Sequence, residues 1–122
     1  MEKYPVIHPD GQIRIGYLPD DLSTRERLDA WYECLCCSSV EVVHTIIPGL
    51  CLLVDECGKC YDQPLPVNIP ASLLYAGTPH GDPIVGYAIL CSIGDRDGEP
   101  DIVPPSAFHL AAFSAYTGYE IP

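Results

Sequence analysis

Two stretches of this chain, Leu50 to Asp55 and Ile84 to Ile93, are apolar almost throughout. A strand with one face in water alternates apolar and polar side chains, so an unbroken apolar run of this length belongs to the interior of a sheet. The surrounding segments read as shorter, half-buried elements. Tyr4 to His8 is β-prone, Pro9-Asp10-Gly11 is turn chemistry, and Gln12 to Leu18 alternates with period two, which predicts a hairpin. Its side chains Ile13, Ile15 and Tyr17 fall on one face and Gln12, Arg14 and Gly16 on the other. Val40 to Ile47 is β-branched and ends at Pro48-Gly49, which predicts a further strand.

Helical signals lie between these runs. Ser23 and Glu26 have capping-box spacing, and Leu28, Trp31, Tyr32 and Leu35 recur at i, i+3, i+4 and i+7. A helix is therefore expected to run to about Cys36, with Leu22 stapled onto its apolar face. Its Trp and Tyr stripe is expected to pack in the core. Asn68 to Tyr75 reads as a short capped helix with Pro70 in its first turn. Pro104-Pro105-Ser106 leads into a helix spanning about 105–117 that Gly118 terminates.

Between the elements, Gly58 is expected to adopt positive φ and turn the Leu50 strand into a short partner around Lys59 to Asp62. Pro64-Leu65-Pro66 excludes regular pairing, because proline carries no donor N–H. Gly77 to Pro83 and Gly94 to Pro100 read as polar loops. The order of elements contains no strand-helix repeat of a doubly wound sheet. The expectation is one α+β domain over residues 1–122: a small, mainly antiparallel sheet with two or three helices on one face.

Charge limits the partners. Seventeen acidic residues against six Lys and Arg give a formal charge of -11, which repels phosphate backbones and removes the counterion release that drives nucleic-acid binding. Direct nucleic-acid binding is not expected. No run reaches the roughly 18 apolar residues of a membrane span, and Met1 to Pro5 starts no signal peptide, so a cytoplasmic location is expected. Seven cysteines in such a compartment are expected to be reduced thiols.

Several segments share one further likeness. Val40-Glu41-Val42-Val43, Gly49-Leu50-Cys51-Leu52 through Gly58-Lys59, Leu65-Pro66-Val67-Asn68 and Asp82-Pro83-Ile84-Val85-Gly86-Tyr87-Ala88 occur in this order. In order and spacing they resemble a family from bacteriophages and bacterial mobile elements known as domain of unknown function 3846, over about Val6 to Gly94. Cys57 and Cys60 stand where that family usually has polar or aliphatic residues, and the Ala- and aromatic-rich last helix also departs from it. The resemblance implies a small accessory protein in a bacterial host, with an anti-defence role.

Catalytic motifs are thin. His8, His44, His80 and His109 are scattered without metal-ligand spacing, and there is no phosphate loop, dinucleotide fingerprint or nucleophile elbow. Asp95, Asp97 and Glu99 alternate as in half a calcium loop, but the twelve-residue ligand pattern is absent. Cys57-x-x-Cys60 has the spacing of half a zinc knuckle; Cys34-x-Cys36-Cys37 completes it poorly and lies on a predicted helix. The expectation is therefore no enzyme, no cofactor and no metal, with Cys57 and Cys60 the ligands if zinc were bound. The remaining class is binding, by a homo-oligomer. One expectation is a nucleotide-type small molecule held and sequestered by Arg14, Asn68, Tyr75, Asp82 and Arg96. The alternatives are a nucleic-acid mimic inhibiting a host protein through Asp20, Asp21, Glu26, Glu41, Asp95, Asp97 and Glu99, or a zinc-stabilised module.

Overall fold

A computed structural model describes residues 1–76 and 82–122. The polar segment from Gly77 to Gly81, His80 included, lies outside the described residues. The elements in chain order are β1 (Glu2–Ile7), β2 (Ile13–Leu18), α1 (Thr24–Leu35), β3 (Val40–His44), β4 (Cys51–Asp55), α2 (Ile69–Ala76), β5 (Ala88–Arg96), β6 (Glu99–Val103) and α3 (Ala107–Thr117). All named strand pairs are antiparallel, in the order β2-β1-β5-β4-β3, with β6 added to the far half of β5. The expected α+β class with an antiparallel sheet is what forms. No helix among the described residues is long and apolar enough to cross a membrane.

The apolar runs explain the layering. Every residue of β4 is buried, and its side chains alternate between two cores. Leu52 and Val54 join Ile7, Val43, Ala88 and Leu90 beneath α2 and α3, which contribute Ala71, Leu74 and Phe113. Cys51 and Leu53 join Tyr4, Val6, Ile89 and Cys91 beneath α1, which contributes Trp31 and Leu35. The helices therefore divide between the two faces rather than gathering on one. A strand apolar on both sides requires this, because a bare face of Leu, Val and Ile would stay in water.

Local chemistry accounts for the element ends. The expected capping box of α1 is present: Glu26 N donates to Ser23 Oγ (3.2 Å) and Ser23 N donates to Glu26 Oε1 (3.0 Å). Cys36 ends the helix in the left-handed conformation at φ 53°. Ser106 and His109 form a second box at α3, and Gly118 closes that helix at φ 80°. Strand β3 stops at His44, short of the expected Ile47, because the Thr45 hydroxyl donates to the carbonyl of Leu50 (2.9 Å) and folds the chain into a turn.

Three further sequence expectations need correction. Gly58 is not among the positive-φ glycines, and no strand covers Lys59 to Asp62. The glycine is needed for close packing instead, since a Cβ there would sit 3.0 Å from Val85 Cγ2. The run from Ile84 does not enter the sheet until Ala88. Gly86 breaks it with φ 75°, its N–H donating to Pro66 O at 2.8 Å. Gly94 to Pro100 is not a loop: β5 continues to Arg96, and Asp97 (φ 54°) with Gly98 (φ 85°) makes a two-residue turn into β6. Positive φ at both central positions is the I′ hairpin pattern that Asp-Gly favours.

Candidate functional site

The five residues expected to hold a ligand do not converge. Arg14 is exposed on β2. Asn68 is fully buried and serves the fold: its side-chain amide donates to the carbonyls of Ile7 (3.0 Å) and Gly86 (2.9 Å), and its Oδ1 accepts from Ala71 N (3.1 Å) at the start of α2. Arg96 is consumed by ion pairs. Only Tyr75 and Asp82 meet, on the wall of one cleft.

The ion pairs around Arg96 form the main polar cluster. Glu2, on β1, accepts from Arg27 of α1 at 2.7 Å, from Arg96 of β5 at 2.9 Å and from the Tyr4 hydroxyl at 2.8 Å. Arg96 also pairs with Asp101 at 2.9 Å and donates to the carbonyl of Ile102. Burial alone would raise the Glu2 carboxyl, but the hydrogen bonds from Arg96, Arg27 and Tyr4 outweigh it and hold the group at about 2. Burial and the same carboxylate push the Tyr4 hydroxyl up. Arg27 is only 4% exposed and occupies a core-facing position of α1 where Leu28 was expected. A buried arginine is invisible to hydrophobic periodicity; only its partner across the sheet makes it affordable in the interior.

That cluster also brings acidic surface together. Asp20, Asp21 and Glu26 border the start of α1, while Asp95, Asp97 and Glu99 lie on the β5–β6 hairpin, and all six are exposed. Arg27 and Arg96 join these two elements through Glu2. Glu41 lies apart from them, on the opposite edge strand β3.

The cleft that Tyr75 and Asp82 share has a volume of about 150 Å³ and lies between β3, β4, α2 and the Asp82–Val85 segment. Val43, Val54, Ile84 and Val85 supply apolar wall, and Glu41, Asp55, Glu56 and Asp82 supply carboxylates against one cation, Lys59. Two of these acids are tied down. Asp55 accepts from Cys57 N at 2.9 Å and from the Tyr61 hydroxyl at 2.6 Å, which pushes Tyr61 up to about 12. Glu56 accepts from the Ser39 hydroxyl at 2.6 Å. Neither Glu41 nor Asp82 pairs with a basic side chain among the described residues. The sequence signals for this cleft were Asp82 and the acidic end of the β4 run, which local patterning could not bring together.

Cys57 and Cys60 sit exposed on the turn after β4. Among the described residues no three His, Cys, Asp or Glu side chains are grouped to hold a metal ion. No family model matches this chain, and no curated protein or solved structure matches it either. The likeness to the phage family accordingly rests on the quoted motifs alone.

Proposed function

We propose that this chain is a non-enzymatic binding protein that engages a basic segment of a protein partner and seats one cationic side chain in the cleft beside β4. The observation supporting this reading is the cleft rim, four carboxylates around a single lysine over an apolar wall. A lysine or arginine can lay its methylene stem along Val43, Val54 and Ile84 while its head meets Glu41 and Asp82. The volume, about 150 Å³, suits one side chain, whereas sites that enclose small-molecule ligands usually span roughly 300 to 1,000 Å³. A nucleotide phosphate would meet the same carboxylates repulsively, so this reading is preferred to sequestration of a nucleotide signal. The second acidic surface, at α1 and the β5–β6 hairpin, would steer a basic partner by long-range attraction. In the mobile-element setting that the family resemblance suggests, the partner is a host protein and binding inhibits it.

Calorimetric titration with a lysine- and arginine-rich peptide tests the reading. Binding is expected at about 0.01 M salt, where charges act over about 30 Å, and is expected to fade near 1 M, where they act over about 3 Å. Combining Glu41→Gln with Asp82→Asn should weaken it by about tenfold, from roughly 0.5 to 1 kcal/mol for each exposed carboxylate. No binding at low salt, or equal binding by the double variant, would overturn the assignment of the cleft. Thermal stabilisation by cyclic nucleotides and not by the peptide would favour the nucleotide reading instead.

A further inference from the structure

Three neighbouring strands bring His44, Cys51 and Cys91 into one row. His44 of β3 pairs directly with Cys51 of β4, and Cys51 pairs directly with Cys91 of β5. Directly paired residues project from the same face of a sheet. Here that face is the one under α1, where Cys51 is 2% exposed and Cys91 is fully buried. His44 Nδ1 lies 3.5 Å from Cys51 Sγ, and the imidazole is exposed at the sheet edge. The row thus runs from solvent to core: a base, a thiol beside it, and a second thiol behind.

Strand pairing sets the distances. Residues opposite one another in an antiparallel pair have Cα atoms about 4.5 to 5.5 Å apart, inside the roughly 4.4 to 6.8 Å that a disulfide spans. Their Cβ atoms need approach by only about 1 Å to reach bonding geometry. All seven cysteines are free thiols, and none of the other five lies on a strand opposite another cysteine.

We propose that Cys51 and Cys91 form a peroxide-reactive dithiol site that closes to a reversible cross-strand disulfide, with Cys51 the attacking thiol, His44 its proton acceptor and Cys91 the resolving thiol. The oxidant is a small hydroperoxide, hydrogen peroxide being the simplest, which has the size to reach a thiol that larger disulfides cannot. Cys51 passes its proton to His44 Nδ1, and the thiolate sulfur attacks one peroxide oxygen. The O–O bond breaks, Cys51 becomes a sulfenic acid, and the departing hydroxide takes the proton from His44 to leave as water. Cys91 sulfur then attacks Cys51 sulfur, the S–O bond breaks, and the hydroxyl leaves with the Cys91 proton as a second water. The sum is two thiols and one peroxide giving one disulfide and two waters. Burial pushes the Cys51 thiol up and the Cys91 thiol up to about 12, so the pair is a poor nucleophile without the neighbouring imidazole.

The test uses the full chain treated with hydrogen peroxide, followed by thiol titration in denaturant and non-reducing peptide mapping. In a variant with Cys34, Cys36, Cys37, Cys57 and Cys60 changed to Ser, both remaining thiols should disappear, a Cys51–Cys91 cross-linked peptide should appear, and dithiothreitol should restore both. With Cys91→Ala, dimedone should label Cys51. His44→Gln should slow oxidation at least about tenfold, because the neighbouring base is lost. Peptide mapping of the unaltered chain guards against a folding defect in the variants. Cys51 and Cys91 both unmodified there, while Cys57 and Cys60 oxidise, would overturn the proposal. An unchanged oxidation rate in His44→Gln would overturn the role of the imidazole.

Discussion

Replacing Asn68 by alanine removes three hydrogen bonds at once, and each serves a different part of the fold. Its amide ties the end of β1 (Ile7 O, 3.0 Å) to the segment before β5 (Gly86 O, 2.9 Å), and its oxygen caps α2 (Ala71 N, 3.1 Å). Loss of the cap costs about 1 kcal/mol. Leaving two interior carbonyls without this donor costs about 1 kcal/mol or more each, so Asn68→Ala should lose about 3 to 5 kcal/mol in all. That is a large share of the roughly 5 to 15 kcal/mol by which a domain of this kind is stable. Asn68→Ser keeps a capping oxygen and should recover about 1 kcal/mol of the loss. Asn68→Asp keeps the cap but turns an anionic oxygen toward two carbonyls, so its folded pKa must rise. A raised folded pKa contributes stability at low pH that disappears as pH rises through it, so this variant should lie closest to the parent in acid and fall further below it as pH rises. Urea unfolding followed by fluorescence of Trp31, 6% exposed and packed edge-on against Tyr4 at 4.8 Å, reads all three. A loss under about 1 kcal/mol for Asn68→Ala, or no pH dependence for Asn68→Asp, would refute the structural role and reopen Asn68 as a ligand residue.

Glu2→Gln should cost about 2 to 4 kcal/mol near neutral pH, because Arg27 is left buried without its anion. The Glu2 carboxyl is held at about 2 against an ordinary 4.5, so its contribution is complete above about 4.5 and is lost as pH falls toward about 2; acid unfolding curves of the parent should show this loss and those of the variant should not. Phe113→Ala, at a fully buried site of α3, should cost about 3 to 5 kcal/mol by differential calorimetry, a loss that an undocked helix would not show. Gly86→Ala should destabilise by at least about 1 kcal/mol in chemical denaturation, since φ is 75° and the added Cβ would lie 2.8 Å from Leu65 Cδ1.

Which parts of this molecule were legible can be traced to particular residues. The Ser23–Glu26 box, the Trp31 and Leu35 stripe and the Gly118 stop are short-range signals, and the helices they specify formed. The Asp97-Gly98 turn was read as part of a polar loop, because the acidic residues around it mask the strands it joins. Gly58 misled because a glycine permits positive φ and close packing alike, and only the position of Val85 shows which is needed. Of the expected site, Tyr75 and Asp82 came together, whereas Asn68 and Arg96 proved to be structural polar groups with buried or ion-paired partners.

By itself the sequence determined the three helices and the first five strands in outline, that β4 and β5 lie inside the sheet, and that the surface is acidic. These depend on periodicity, capping and charge within a few residues. The tertiary structure alone decided that the helices cover both faces, that Glu2 gathers two arginines, and that His44, Cys51 and Cys91 share a row. Each of those follows from strand order, and strand order is set by pairings between distant segments whose combined burial of apolar surface no local pattern records.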